Sequence, residues 1–168
     1  MIRARVLIAA FATVAVVSLA GCSTTGSRAS GQPDLQRQSD LYAIDQIEVT
    51  WHKASSEKDV DMMMTIWADN ATFTTATKTY SGKDQIRAFF VDQAAPFKKE
   101  NNWVSDTPAY KIRITVDGDK GTLYFECDYI DVPTRVVKVV VSADQAVARI
   151  NGTWLITSAV SASPELGS

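Results

Sequence analysis

The chain has 168 residues, 46% of them apolar and 21% charged, with a formal net charge of −2. That length and balance fit one globular domain behind a short processed segment, large enough to bury a core without metals or disulfides. The acidic balance excludes a nucleic-acid binder, which needs a basic footprint, and two cysteines, one of them near the N-terminus, exclude a disulfide framework.

Residues 1–21 read as a targeting segment. Arg3 and Arg5 precede an apolar run over residues 6–20, interrupted only by Thr13 and Ser18. The run has the length of a signal-peptide core and is short for a membrane span. It ends Leu19-Ala20-Gly21-Cys22, which resembles the lipobox of bacterial lipoproteins at all four positions. The resemblance implies cleavage before Cys22 and acylation of that residue, an attachment in which each buried methylene contributes about 0.8 kcal/mol. It also implies an address in the cell envelope: the periplasmic face of the outer membrane in a Gram-negative host, as Ser23 favours, or the outer face of the plasma membrane in a Gram-positive one. Residues 22–39, rich in Ser, Gly, Gln and Arg, read as a tether too polar to order itself.

The globular part is expected over 40–162, with a polar tail at 163–168. Leu41, Ile44, Ile47 or Glu48, Trp51 and Ala54 or Ser55 recur at helical spacing and predict a first helix over 40–57. Lys58 follows it, where a C-terminal glycine would be usual. Asp59 is placed to cap a second, short helix, with Asp61 in its first turn and Met62, Met63, Ile66 and Trp67 as its apolar face, ending at Asp69-Asn70. The Thr-, Phe- and Tyr-rich stretch 71–80 predicts a hairpin, and Gly82 opens a third helix with Ile86, Phe89 and Phe90 buried. An irregular stretch, 93–109, carries Trp103. Strands are then expected over 110–116, 122–132, 136–141, 145–150 and 154–160. Asp117-Gly118-Asp119 and Asn151-Gly152 serve as turns, and the valines of 136–141 suggest burial on both sides.

The order helix, Asp-x-Asp, Trp-Ala-Asp, strand, Tyr-x-Gly-Lys-x-x-Ile-x-x-Phe-Phe resembles the nuclear transport factor 2-like superfamily, of the SnoaL-like and ketosteroid-isomerase-like type. Trp51, Asp59, Asp61, Trp67, Asp69, Phe73, Tyr80, Gly82, Ile86, Phe89 and Phe90 carry the resemblance, with Asn151-Gly152-x-Trp154-x-Ile156 at its end. It implies an α+β fold: a strongly bent, mostly antiparallel sheet wrapped around three helices into a cone, with a pocket between them. By the same resemblance, Trp51 stands where isomerase-like members place a tyrosine donor, and Thr75 where they place an aspartate base. An indole N–H only donates and a threonine cannot take a proton at neutral pH, so that chemistry reads as absent.

Trp51, Thr75, Trp103, Cys127 and Tyr129 are the pocket candidates, with Trp103 either a lid or packed on the sheet edge. Cys127 reads first as a small buried filler and second as a reactive thiol. His52, one position on from Trp51, is expected on the helix flank without a chemical role. His52, Asp131 and Asp144 remain the weak candidates for acid or base, with Tyr129 or Tyr80 as donor. No spacing announces a metal site, a phosphate loop or a cofactor. Three readings stand: a non-catalytic, membrane-anchored binder of a small apolar molecule or partner protein; an isomerase, dehydratase or cyclase with an unusual acid/base set; and a structural module that forms homodimers.

Overall fold

The computed structural model describes residues 32–105 and 108–163; the leader, Cys22 and residues 22–31 of the tether lie outside them. Helix α1 spans Gln32–Glu57, α2 Val60–Met64 and α3 Lys83–Asp92. The strands are β1 Trp67–Thr74, β2 Thr79–Ser81, β3 Trp103–Ser105, β4 Lys111–Asp117, β5 Lys120–Asp131, β6 Val136–Ile150 and β7 Thr153–Ala162. They form one curved, open sheet in the order β2-β1-β7-β6-β5-β3, with β4 also paired to β5. Every pairing is antiparallel except β1 with β7. The fold is thus the expected α+β cone, with α1 lying across the concave face.

Helix α1 starts eight residues earlier than the polar composition of 32–39 predicts. Asp34 lies in its first turn, where the helix dipole favours an acid. Residues 34–39 are exposed, and Asp40 then ties the helix to the far end of the chain. Its carboxylate accepts from Trp154 Nε1 at 3.3 Å and pairs with Arg149 at 2.7 Å. The helix ends at Lys58 in the left-handed region (φ 60°), a cost usually left to glycine. Asp59 caps α2 as the sequence predicts, accepting the Met62 N–H at 2.8 Å.

Two boundaries differ from the sequence reading. Helix α2 stops at Met64, and Trp67, Ala68, Asp69 and Asn70 belong to β1. The apolar face that reads as helical is claimed by strand pairing: Trp67 lies opposite Ile156 of β7, and the Ile156 N–H donates to the Ile66 carbonyl at 2.8 Å. Asp69 and Asn70 sit in the register shift between Trp67 and Thr72, pointing out to solvent. Residues 136–150 form one continuous strand rather than two, because long neighbours on both sides, β5 and β7, keep the ladder running through Ser142–Asp144. The valines are not buried on both sides: Val139 and Val141 face inward while Val136 is exposed. Asn151 and Gly152 adopt the positive φ angles of the predicted tight turn.

Gly121 on β5 sits where strand β4 and helix α1 leave little room for a side chain. A Cβ there would stand 2.5 Å from the Thr115 carbonyl oxygen and 3.2 Å from the Ile44 side chain of α1. Gly121→Ala is therefore expected to cost about 1–3 kcal/mol, read as a lower urea midpoint at unchanged slope. An unchanged midpoint would show that the β4–β5 edge yields freely.

Candidate functional site

The interior is built on an aromatic cluster. Trp51 of α1, 3% exposed, meets Trp67 at 5.9 Å, Phe90 at 5.6 Å and Phe125 at 5.5 Å between ring centroids. Phe73 lies 5.5 Å from Trp67 and 5.0 Å from Phe89. Most of these pairs are tilted or edge-to-face, the arrangement aromatic quadrupoles favour. Beside the cluster, where α3 and the 3-10 turn Ala95–Phe97 face the sheet, the packing leaves a cavity of about 310 Å³. Its floor is Trp51, Phe73, Tyr129, Val139 and Val141; Phe89, Phe90 and Phe97 form one wall, with Thr75, Gln93 and Ser161 among its polar lining.

The deep polar groups of this cavity are already engaged. Tyr129 donates its hydroxyl proton to Ser55 Oγ at 3.0 Å, and Ser55 in turn donates to the His52 carbonyl at 3.0 Å. Burial pushes the Tyr129 phenol well above its ordinary range. Thr75 accepts from the Thr77 and Lys78 N–H groups and donates to the Lys78 carbonyl, so its hydroxyl serves the β1–β2 turn.

Three sequence candidates therefore line the cavity: Trp51, Thr75 and Tyr129. Two do not. Cys127 is wholly buried on the inward face of β5, and burial pushes its thiol up to about 12, which leaves it inert at neutral pH. Trp103 borders a separate shallow depression with Lys58, Lys99 and Pro133, and its carbonyl accepts from the Lys58 ammonium. It is half-buried on the β3 edge and no lid over the main cavity.

The weak acid/base candidates disperse. Asp144 is exposed on β6. Asp131 accepts from the Thr134 N–H at 3.0 Å and hydroxyl at 2.6 Å; these bonds hold its carboxyl below the usual range and fix it in the β5–β6 turn. His52 is the correction of most consequence. Expected on the helix flank, it is 0% exposed. Its Nδ1 bonds Ser105 Oγ, and its Nε2 lies 2.8 Å from Glu48 Oε1, one turn back on α1. That contact is close but poorly aligned as a hydrogen bond, and Glu48 Oε2 has no partner among the described residues. Burial acts to raise the Glu48 carboxyl, yet the close His52 ring and the Ala109 N–H, 2.9 Å away, together hold it below its usual value. This Glu48–His52–Ser105 set lies behind the cavity wall and none of the three lines it.

Sequence reasoning missed Gln93 and Phe97, which lie four residues apart just after α3, and Ser161 of β7, which meets them only through folding. Among the described residues no group of His, Cys, Asp and Glu could hold a metal ion, and no helix is long and apolar enough to cross a membrane.

The chain belongs to the SnoaL-like domain family, whose model matches residues 49–162. Solved structures agree on the fold. An NTF2-like protein with a cystatin-like fold from Novosphingobium aromaticivorans superposes with a TM-score of 0.68 at 15% identity, over 77% of this chain and 85% of that one. Hexachlorocyclohexane dehydrochlorinase LinA type 3 from Novosphingobium barchaimii gives 0.65 at 16% identity, over 80% and 95%. An NTF2-like protein from Pseudomonas putida gives 0.64 at 14%, over 76% and 88%. No curated protein matches the sequence.

Proposed function

We propose that this chain is a lipid-anchored protein of the cell envelope whose SnoaL-like domain holds a small apolar molecule without transforming it. One observation carries the reading. The cavity is of ligand size, walled by aromatic and alkyl side chains, and among the described residues no carboxylate, imidazole or amine lines it. Acid–base chemistry needs a group that exchanges protons near the operating pH within reach of the substrate. The one titratable group among the described lining residues, Tyr129, is held far above that range. The dehydrochlorinase likeness, at 16% identity, speaks for the fold alone. The anchor rests on Leu19-Ala20-Gly21-Cys22 and the apolar run before it.

Native mass spectrometry of the chain extracted gently from its own host tests both halves. The expected spectrum shows a mature N-terminus at Cys22 bearing acyl chains, and a discrete second mass that leaves on activation. An unmodified Cys22 sinks the anchor. An empty subunit found only as a dimer sinks the ligand in favour of a protein-interaction role.

A further inference from the structure

The free edges of the sheet are not treated alike. The β2 edge is three residues long, and its Ser81 N–H donates to Gln85 Oε1 at 3.2 Å. The β3 edge is equally short and is closed by α1: the Trp103 carbonyl accepts from the Lys58 ammonium, and the Ser105 N–H donates to Ser56 Oγ at 2.9 Å. Strand β4 is seven residues long and pairs with β5 alone, with no register shift. It holds no proline, glycine or inward-pointing charge, the devices that keep an edge from pairing. Asp117 and Lys120 close a two-residue turn, and the closing pair of such a hairpin exchanges both its hydrogen bonds. Alternation then turns the backbone of Asp117, Thr115, Arg113 and Lys111 toward β5, and the N–H and C=O groups of Ile112, Ile114 and Val116 outward. The Val116 carbonyl fits that phase, since it accepts an exposed bond of 3.3 Å from the Arg37 guanidinium. Nothing else among the described residues takes these outward groups.

We propose that β4 is a docking edge for a second copy of this chain, joining the two sheets through one antiparallel ladder centred on Ile114. The strand is complementary to itself in that register, which keeps all seven of its residues paired. Ile114 faces Ile114 and Ile112 faces Val116, so the outward backbone groups meet and each pair exchanges two hydrogen bonds. The side chains of these three residues, only half-buried at the margin of the core, cover one another. On the opposite face Lys111 comes against Asp117 and Arg113 against Thr115, so no two like charges face each other. Asp117 is exposed and pairs with no cation among the described residues. Lys111, 2.6 Å from Glu126, then stands between two acids. The symmetry is that of an isologous contact. A strand edge is a small interface, which sets the expected dissociation constant at about 1–100 μM. No residue of β4 lines the cavity, so the contact is independent of whether the cavity is filled.

Sedimentation equilibrium of the full chain in non-ionic detergent at pH 7 should show a reversible monomer–dimer equilibrium in that range. Asp117→Lys changes an exposed side chain and should weaken the dimer about three- to thirtyfold, because symmetry sets lysine against lysine twice. Register is read by mixing chains that carry Arg113→Cys with chains that carry Thr115→Cys and oxidising them in air. Facing residues that do not share hydrogen bonds lie about 4.5 Å apart between Cα atoms, within disulfide reach, whereas each position lies about 7–8 Å from its own counterpart. Peptide mass spectrometry should find a 113–115 link in the mixture and no link through either position in the separate chains. A chain that stays monomeric at about 100 μM, a dimer indifferent to Asp117→Lys, or a dimer without the 113–115 link overturns the inference. All three outcomes leave the cavity reading to its own test.

Discussion

Trp51→Ala should lower the unfolding free energy by about 3–5 kcal/mol, the usual cost of truncating a buried aromatic whose site cannot collapse. Trp51 touches four other aromatic rings at 5.5–6.5 Å, so deletion empties space shared by α1, β1, α3 and β5. It also opens the floor of the cavity. Chemical denaturation followed by far-UV circular dichroism reads the loss without depending on the deleted indole. Trp51→Phe separates the two roles. It keeps most of the apolar contact and should cost much less stability, while altering the affinity of any ring ligand. A stable Ala variant would mean that the cluster repacks, and with it the cavity.

The second large effect belongs to Glu48. Glu48→Ala removes the carboxylate beside a fully buried imidazole and strands the Ala109 N–H, 61 residues away in sequence. Breaking a buried pair from one side costs about 3–5 kcal/mol. Glu48→Gln keeps an oxygen for Ala109 and removes only the charge, so its cost should be smaller, about 1.5–3 kcal/mol at pH 7. The pH dependence follows from the direction of the shift. The folded carboxyl is held below its ordinary value of 4.5, so the charge contributes its full stability above about pH 4.5. The contribution is lost as the pH falls through the lower folded value. Urea midpoints of wild type and Glu48→Gln should therefore differ at pH 7 and converge in acid. A constant gap across that window would show that shape rather than charge is what Glu48 supplies.

These two residues also show where a linear reading stops. Trp51 is legible as an inward position because the helical stripe Leu41, Ile44, Ile47, Trp51 is written within eleven residues. Glu48 and His52 lie one turn apart on the same helix, and that spacing is equally visible. What cannot be seen is that this flank is covered. Ser105, 53 residues on, closes over the His52 ring, and Phe125 packs against it at 5.2 Å. A side chain at helical flank is solvated or buried according to what another segment brings, and the flank itself carries no trace of it.

The same division runs through the molecule. The sequence by itself determined the family and the α+β order, through motifs spread from Trp51 to Ile156, and the Asp59 cap and the Asn151-Gly152 turn, each of which depends on residues within a few positions of one another. It determined Trp51, Thr75 and Tyr129 as positions worth naming, and all three reach the cavity. Tertiary structure decided the rest. It turned Trp67 from helix to strand through its parallel partner in β7, and ran β6 unbroken between two long neighbours. It buried Cys127 away from the cavity and left Trp103 on the β3 edge. It also brought Ser161 of β7 to the cavity that Gln93 and Phe97 line. Local preference sets which backbone states are cheap. Hydrogen-bond ladders and packing between distant segments set which of them is occupied, and a cavity is made only of such distant meetings.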